Sequence, residues 1–132
     1  LNLTYMKELK LAITHYKILH TVFSLNQLSL FPNQEGVHKV LTGNDRNEYE
    51  DIRNIPTFGT LISYSSKKIC HYILSLIRHA FLKNVYDEGT QEFYLQITKK
   101  GEDVLNLFLA KRKTSYRKTT KPIKLSIIRL EK

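Results

Sequence analysis

At 132 residues, 42% hydrophobic and 25% charged, the chain has the size and composition of one globular domain, with little left over for a second core. No run approaches the ~18 uninterrupted apolar residues that span a bilayer, and the lone cysteine, Cys70, excludes an internal disulfide and a cysteine-based zinc site. A net charge of +9 favours polyanionic partners, nucleic acid before an anionic membrane surface.

That charge is uneven. Residues 111 to 132 hold nine Lys or Arg and one Glu, a net of +8, whereas residues 1 to 110 hold twelve bases and eleven acids, a net of +1. The excess is therefore mostly a property of the tail, and a solubilising end is the bland explanation for it. The first ten residues have neither the basic start nor the apolar stretch of a secretory signal, and they lack an initiator Met, as an excised fragment would. The expected home is intracellular and reducing: the nucleus in a eukaryote, the nucleoid in a bacterium.

In chain order, Thr4 to Phe23 places apolar residues at 5, 9, 12, 16, 19 and 23, with Met6 and Ile13 beside them, and this spacing predicts an amphipathic first helix. Pro32, Asn33 and Gly36 break the pattern. Val37, Val40 and Leu41 then form a short second helix that closes at Thr42, Gly43 and Asn44. Arg46 to Ile52 is polar enough for a surface helix of one or two turns, Ile55-Pro56 marks a boundary, and Phe58, Gly59 and Leu61 read as a loop anchored in the core.

Ser65 and Ser66 can cap a helix with apolar residues at 69, 73, 76, 77 and 80 and with Lys68, His71, Ser75 and Arg78 on its other side. Leu82 to Tyr86 reads as a strand, Asp87 to Thr90 as a turn, and Gln91 to Thr98 as a second strand with Phe93, Leu95 and Ile97 on one face. Thr98 can cap a final helix that runs through Val104, Leu105 and Phe108 to about Ala110. Pro122, the threonines and the lysines beyond it indicate a looser segment, although Ile123 to Leu130 has strand-like residues that can dock on the domain. There is no internal repeat.

This order predicts a mainly helical α+β fold, a winged helix: a helix-turn-helix with a C-terminal β-hairpin wing over residues 4–110, followed by a basic tail over 111–132. In such folds the helix before the hairpin usually enters a groove and the hairpin contacts the backbone. The same fold also serves protein partners.

Three stretches resemble the RQC domain, the winged helix of RecQ-family DNA helicases. Val37 to Gly43, VHKVLTG, is similar to the family's short helix with its closing Gly. Phe58 to Leu61, FGTL, is similar to the loop before the recognition helix, and Leu74 to Leu105 to the family's order of helix, wing and closing motif, here ITKKGEDVL. The likeness spans roughly residues 8 to 109. It implies a piece that grips duplex DNA at a single-strand junction while a separate ATP-driven motor translocates in the 3' to 5' direction in replication, repair or recombination. ATP and Mg²⁺ would belong to that motor and zinc to a module upstream, with no cofactor in this chain, which lacks a Gly-rich phosphate loop. The resemblance also implies phosphate contacts from Ser65, Ser66, Lys67 and Lys68 and from Asn44 and Arg46, as suits the open N–H groups of a helix start.

His71 and Arg78 extend that basic face, and Lys111, Arg112 and Lys113 open the basic tail. Tyr86 and Phe93, with Tyr94, flank the wing tip and can stack on a terminal base pair. Two departures stand out. The tip is Asp87-Glu88-Gly89-Thr90, acidic where strand-separating wings carry an aromatic residue, and the link from Leu25 to Glu35 is long and apolar. The link leaves a second expectation open, a protein-interaction or regulator-type winged helix that docks through Leu28 to Phe31. Other chemistry is set aside. His15 and His20, and His71 and His79, are spaced wrongly for a shared metal; Asp45, Glu48, Glu50 and Asp51 are interleaved with Arg46 and Arg53; Cys70 reads as a buried structural thiol. A monomer without membrane contact is expected.

Overall fold

The computed structural model describes residues 10–44 and 50–112, the side chains of Glu50 and Asp51 excepted. Helix α1 is Ile13–Gln27, α2 is Gln34–Leu41 and α3 is Ser66–Arg78. A 3₁₀ turn, Glu50–Asn54, lies between α2 and α3. Strands β1, Leu82–Asp87, and β2, Glu92–Ile97, pair antiparallel with Leu82 opposite Ile97 and Asp87 opposite Glu92. Residues 99–112 form a last helix, α4. This is the mainly helical winged helix expected.

The first helix differs from the expectation. It starts at Ile13 rather than Thr4 among the described residues, after extended Ala12, and it runs four residues past Phe23. Residues 4 to 9 lie outside the described part. Its buried face is His15, Ile18, Leu19, Val22 and Leu25, one step round from the 12, 16, 19, 23 stripe, and Ile13 is exposed. Buried polar residues explain the shift. Thr14, His15 and Thr21 all face inward: Thr21 donates to the Lys17 carbonyl (2.8 Å) and accepts from Thr57, while His15 Nδ1 accepts the Ala12 N–H (2.9 Å) and its ring meets Tyr72 edge-on. Burial lowers the His15 pKa from its ordinary 6.5, with the charge of His79 adding to the effect.

The core gathers Ile18, Leu19 and Val22 of α1, Val37 and Leu41 of α2, and Ile69, Ile73 and Leu76 of α3. Leu95 of the wing and Leu105 of α4 close it. Each such side chain contributes roughly 1.5–3 kcal/mol by leaving water. Leu25, Val40, Ile52 and Ile55 form a smaller cluster against Leu30 and Phe58.

The three sequence stretches become two joints. Helix α2 ends in a Schellman turn: Gly43 takes the left-handed conformation (φ 76°), its N–H reaches the Val40 carbonyl, and the Asn44 N–H reaches that of Lys39. The FGTL loop is stitched to the same turn, since Gly59 N–H also donates to Val40 and Leu61 N–H to Leu41. At the second joint Thr98 caps α4 by accepting the Gly101 N–H, while its hydroxyl donates to the carbonyls that end α3, at Ala80 and Phe81. Helix α4 continues to residue 112, so Lys111 and Arg112 belong to a helix and not to a loose tail.

The long link has a structural purpose. The Pro32 carbonyl accepts the Leu95 N–H (2.7 Å) and Asn26 Oδ1 accepts the Ile97 N–H (3.0 Å), so the link covers the outer edge of β2. Leu30 is half-buried, whereas Leu28 and Phe31 stay exposed. Of the expected surface helix, Arg46 to Ile52, residues 46–49 lie outside the described part, and the 3₁₀ turn Glu50–Asn54 follows.

Candidate nucleic-acid interface

Helix α3 begins with Ser65, whose Oγ accepts the Lys68 N–H (3.1 Å). That leaves the amides of Ser66 and Lys67 without an acceptor among the described residues, at the end of the helix where the dipole is positive. Ser65, Ser66, Lys67 and Lys68 are all exposed and no acidic residue stands in the first turn. The Lys68 ammonium lies over the Tyr64 ring, 4.8 Å from its centre. Tyr64 is itself held by His38, whose Nε2 donates to the Tyr64 carbonyl (3.2 Å), and by a hydroxyl contact with Thr14. The start of α3 is thus fixed to α1 and α2 through a half-buried tyrosine.

Because Ile69, Ile73 and Leu76 point into the core, the opposite side of α3 is presented to solvent. Lys67, His71, Leu74 and Arg78 recur there at helical spacing and are all exposed. Leu74, 44% exposed, is the member of this stripe that the sequence reading does not include. Its position three residues after His71 is the available signal. Cys70 is half-buried rather than buried, and its thiol donates to Gln34 Oε1 (2.8 Å), an α2 to α3 contact.

On the wing, Leu82, Asn84 and Tyr86 share a face with Ile97, Leu95 and Phe93. The core-end residues are buried, but Tyr86 and Phe93 are 50% and 57% exposed and face one another, with ring centres 5.1 Å apart. They form an aromatic pair outside the core. Tyr94 lies on the other face, half-buried, and its hydroxyl donates to Thr90 Oγ1. The acidic tip is partly internal, because Asp87 Oδ2 accepts both the N–H and the hydroxyl of Thr90 (3.0 Å each). The second strand is shorter than expected by Gln91 and Thr98: Gln91 enters the turn with φ 60°, and Thr98 becomes the cap.

Of the expected contacts, Ser65, Ser66, Lys67, Lys68, His71 and Arg78 therefore come together on one helix, and Tyr86 and Phe93 on one wing face. Asn44 ends the Schellman turn of α2. Lys111 and Arg112 stand exposed on the last turn of α4, where Arg112 covers the Phe108 ring that stacks on Tyr16. Arg46 and Lys113 lie outside the described residues, as do Asp45 and Glu48 of the acidic cluster. Among the described residues no three His, Cys, Asp or Glu are grouped to hold a metal ion, and no helix is long and apolar enough to cross a membrane.

No curated protein matches the chain. A family model, that of the RQC domain, matches residues 14–124, a span that takes in α1 through α4, both joints and the wing. The chain belongs to the RQC domain family, a non-catalytic DNA-binding module of RecQ helicases.

Proposed function

We propose that this domain grips duplex DNA where it meets single strand, inside an ATP-dependent 3' to 5' helicase that acts in replication, repair or recombination. The observation that carries the reading is the outer side of α3: an open helix start, Ser65 to Lys68, leads into Lys67, His71 and Arg78 along one exposed stripe. Backbone N–H groups, hydroxyls and ammonium groups are the donors that phosphates take, and they set register without reading sequence. Asn44, just after α2, and Lys111 and Arg112, on the last turn of α4, extend the phosphate contacts in this reading, together with Arg46 and Lys113. Tyr86 and Phe93 supply a stacking surface for the terminal base pair, worth ~1–3 kcal/mol per base. ATP and Mg²⁺ belong to motor domains and zinc to a neighbouring module, and the domain works as a monomer in the nucleus or nucleoid.

The test is fluorescence anisotropy with forked duplex, blunt duplex and single strand at two salt concentrations. The fork should bind most tightly, and log affinity should fall linearly with log salt, by about 0.9 for each phosphate neutralised. Absence of duplex and fork binding at low salt would refute the reading. A second reading, a protein partner on the link, is favoured by the exposure of Leu28 and Phe31; it predicts that substitutions there leave DNA affinity unchanged and abolish partner binding.

A further inference from the structure

Between the start of α2 and the inner face of the wing lies a depression of about 350 Å³, lined by Asn33, Gln34, Glu35, Asn84 and Phe93. Its size is within the ~300–1,000 Å³ range of small-ligand sites. The lining is unusual for a DNA-binding surface because it holds no Lys or Arg, and Glu35 adds a carboxylate. A phosphate is therefore the wrong occupant.

What the lining offers is one aromatic face and a set of amides. Phe93 is 57% exposed and backed by the Tyr86 ring. Asn33 Oδ1 is held by the Gly36 N–H (2.8 Å) and Gln34 Oε1 by the Cys70 thiol, so the NH₂ group of each side chain remains a donor with no partner among the described residues. Asn84, exposed at the middle of β1, makes no side-chain hydrogen bond to any described residue and offers both a donor and an acceptor. Glu35, only weakly paired with Lys39 at 3.9 Å, adds an acceptor. A flat heterocycle with donors and acceptors round its edge matches this chemistry: one ring to stack on and amides to meet its rim, the combination by which unpaired bases are recognised.

We infer that the depression bounded by Phe93, Asn84 and the Asn33–Glu35 turn receives one unpaired nucleobase next to the duplex end. The inference rests on the junction-gripping reading and adds a base site to its phosphate contacts. Phe93 stacks on this base, leaving Tyr86 to the terminal base pair, and the Asn84, Gln34 and Asn33 amides hydrogen-bond the edge of the unpaired base. Free single strand, lacking a duplex to anchor on α3, gains little from the site.

The experiment uses the full chain with a forked duplex, the same fork carrying an abasic nucleotide at the first unpaired position on either strand in turn, and a blunt duplex. On one strand the abasic fork should bind at least about fivefold more weakly than the intact fork, the low end of the loss of one base stack. With Asn84→Ala, whose side chain is exposed and outside the core, that difference should shrink severalfold while blunt-duplex affinity is unchanged. A fork that binds equally well with and without the base on both strands overturns the base site and leaves duplex gripping intact. Equal weakening of all DNAs by Asn84→Ala also overturns it. Failure of wild-type protein to bind any duplex or fork overturns the junction reading as well.

Discussion

A methyl group on Gly101 would stand 2.2 Å from the carbonyl oxygen of Phe81, and 2.8 Å from Ile97 Cγ1. The first turn of α4 is pressed against the residue that joins α3 to the wing, and Thr98 locks the contact from the other side. Gly101→Ala must push α4 away from backbone, which no rotamer change can relieve. It should cost about 2–3 kcal/mol, the ~1 kcal/mol helix-propensity gain of Ala notwithstanding. Urea unfolding followed by circular dichroism reads this directly, and a wild-type midpoint would refute the close packing.

Ala80 carries the opposite expectation. It ends α3 in a Schellman turn with φ 66°, its N–H on the Ile77 carbonyl and the Phe81 N–H on that of Leu76. A Cβ in this left-handed region costs ~1–2 kcal/mol, part of which Gly gives back through its freer unfolded chain. Ala80→Gly should therefore stabilise the domain by about 0.5–1 kcal/mol, a rise in Tm of several degrees. A lower Tm would contradict the turn.

Stability should fall with acid between neutral pH and pH 5. His15 and His20 are both pushed below their ordinary pKa of 6.5, chiefly by burial. The unfolded chain therefore binds more protons than the folded one just below pH 6.5, so stability is full above that value and is lost as pH falls towards the folded pKa values. Protonation of His15 also removes the acceptor for the Ala12 N–H and puts a positive charge in the first turn of α1, where the dipole opposes it. Unfolding free energies at pH 7.5 and 5.5 should differ less in His15→Gln than in wild type; an equal difference would clear His15 of the effect.

The elements that are legible in the sequence are those whose signals are local. Ser65 capping α3, Gly43 closing α2 and Thr98 before α4 each act within four residues of their own backbone, whereas α2 starts at Gln34, ahead of Gly36, which the sequence reading takes as a break. The start of α1 is hidden because Ala12 is no capping residue and because buried Thr14, His15 and Thr21 do not register as apolar. The edge pairing of the link depends on the Pro32 carbonyl, and no side-chain pattern announces a backbone acceptor. At the interface, helical spacing makes the basic stripe on α3 legible. The depression at Asn84 is not, because it needs α2 and the wing to be brought together from distant parts of the chain.

Reversal of charge at Lys67 and Lys68 should weaken duplex binding and lower the salt slope by about 1 for each phosphate no longer neutralised. Both side chains are exposed, so Tm should move little, apart from the small effect of removing the Lys68 ammonium from the Tyr64 ring. Unchanged affinity in Lys67→Glu, Lys68→Glu would move the phosphate contacts off the helix start.

Whether the folded domain or the basic tail holds DNA is decided by titrating a fluorescent forked duplex with the full chain and with a chain cut after Arg112, its cooperative unfolding checked first. Residues beyond that cut carry seven Lys or Arg and one Glu. The cut chain should bind more weakly and with a smaller salt slope, yet still prefer the fork to single strand and still lose affinity when Lys67 and Lys68 are reversed. Complete loss of fork binding by a folded cut chain would contradict the account, because the tail alone would then carry the affinity.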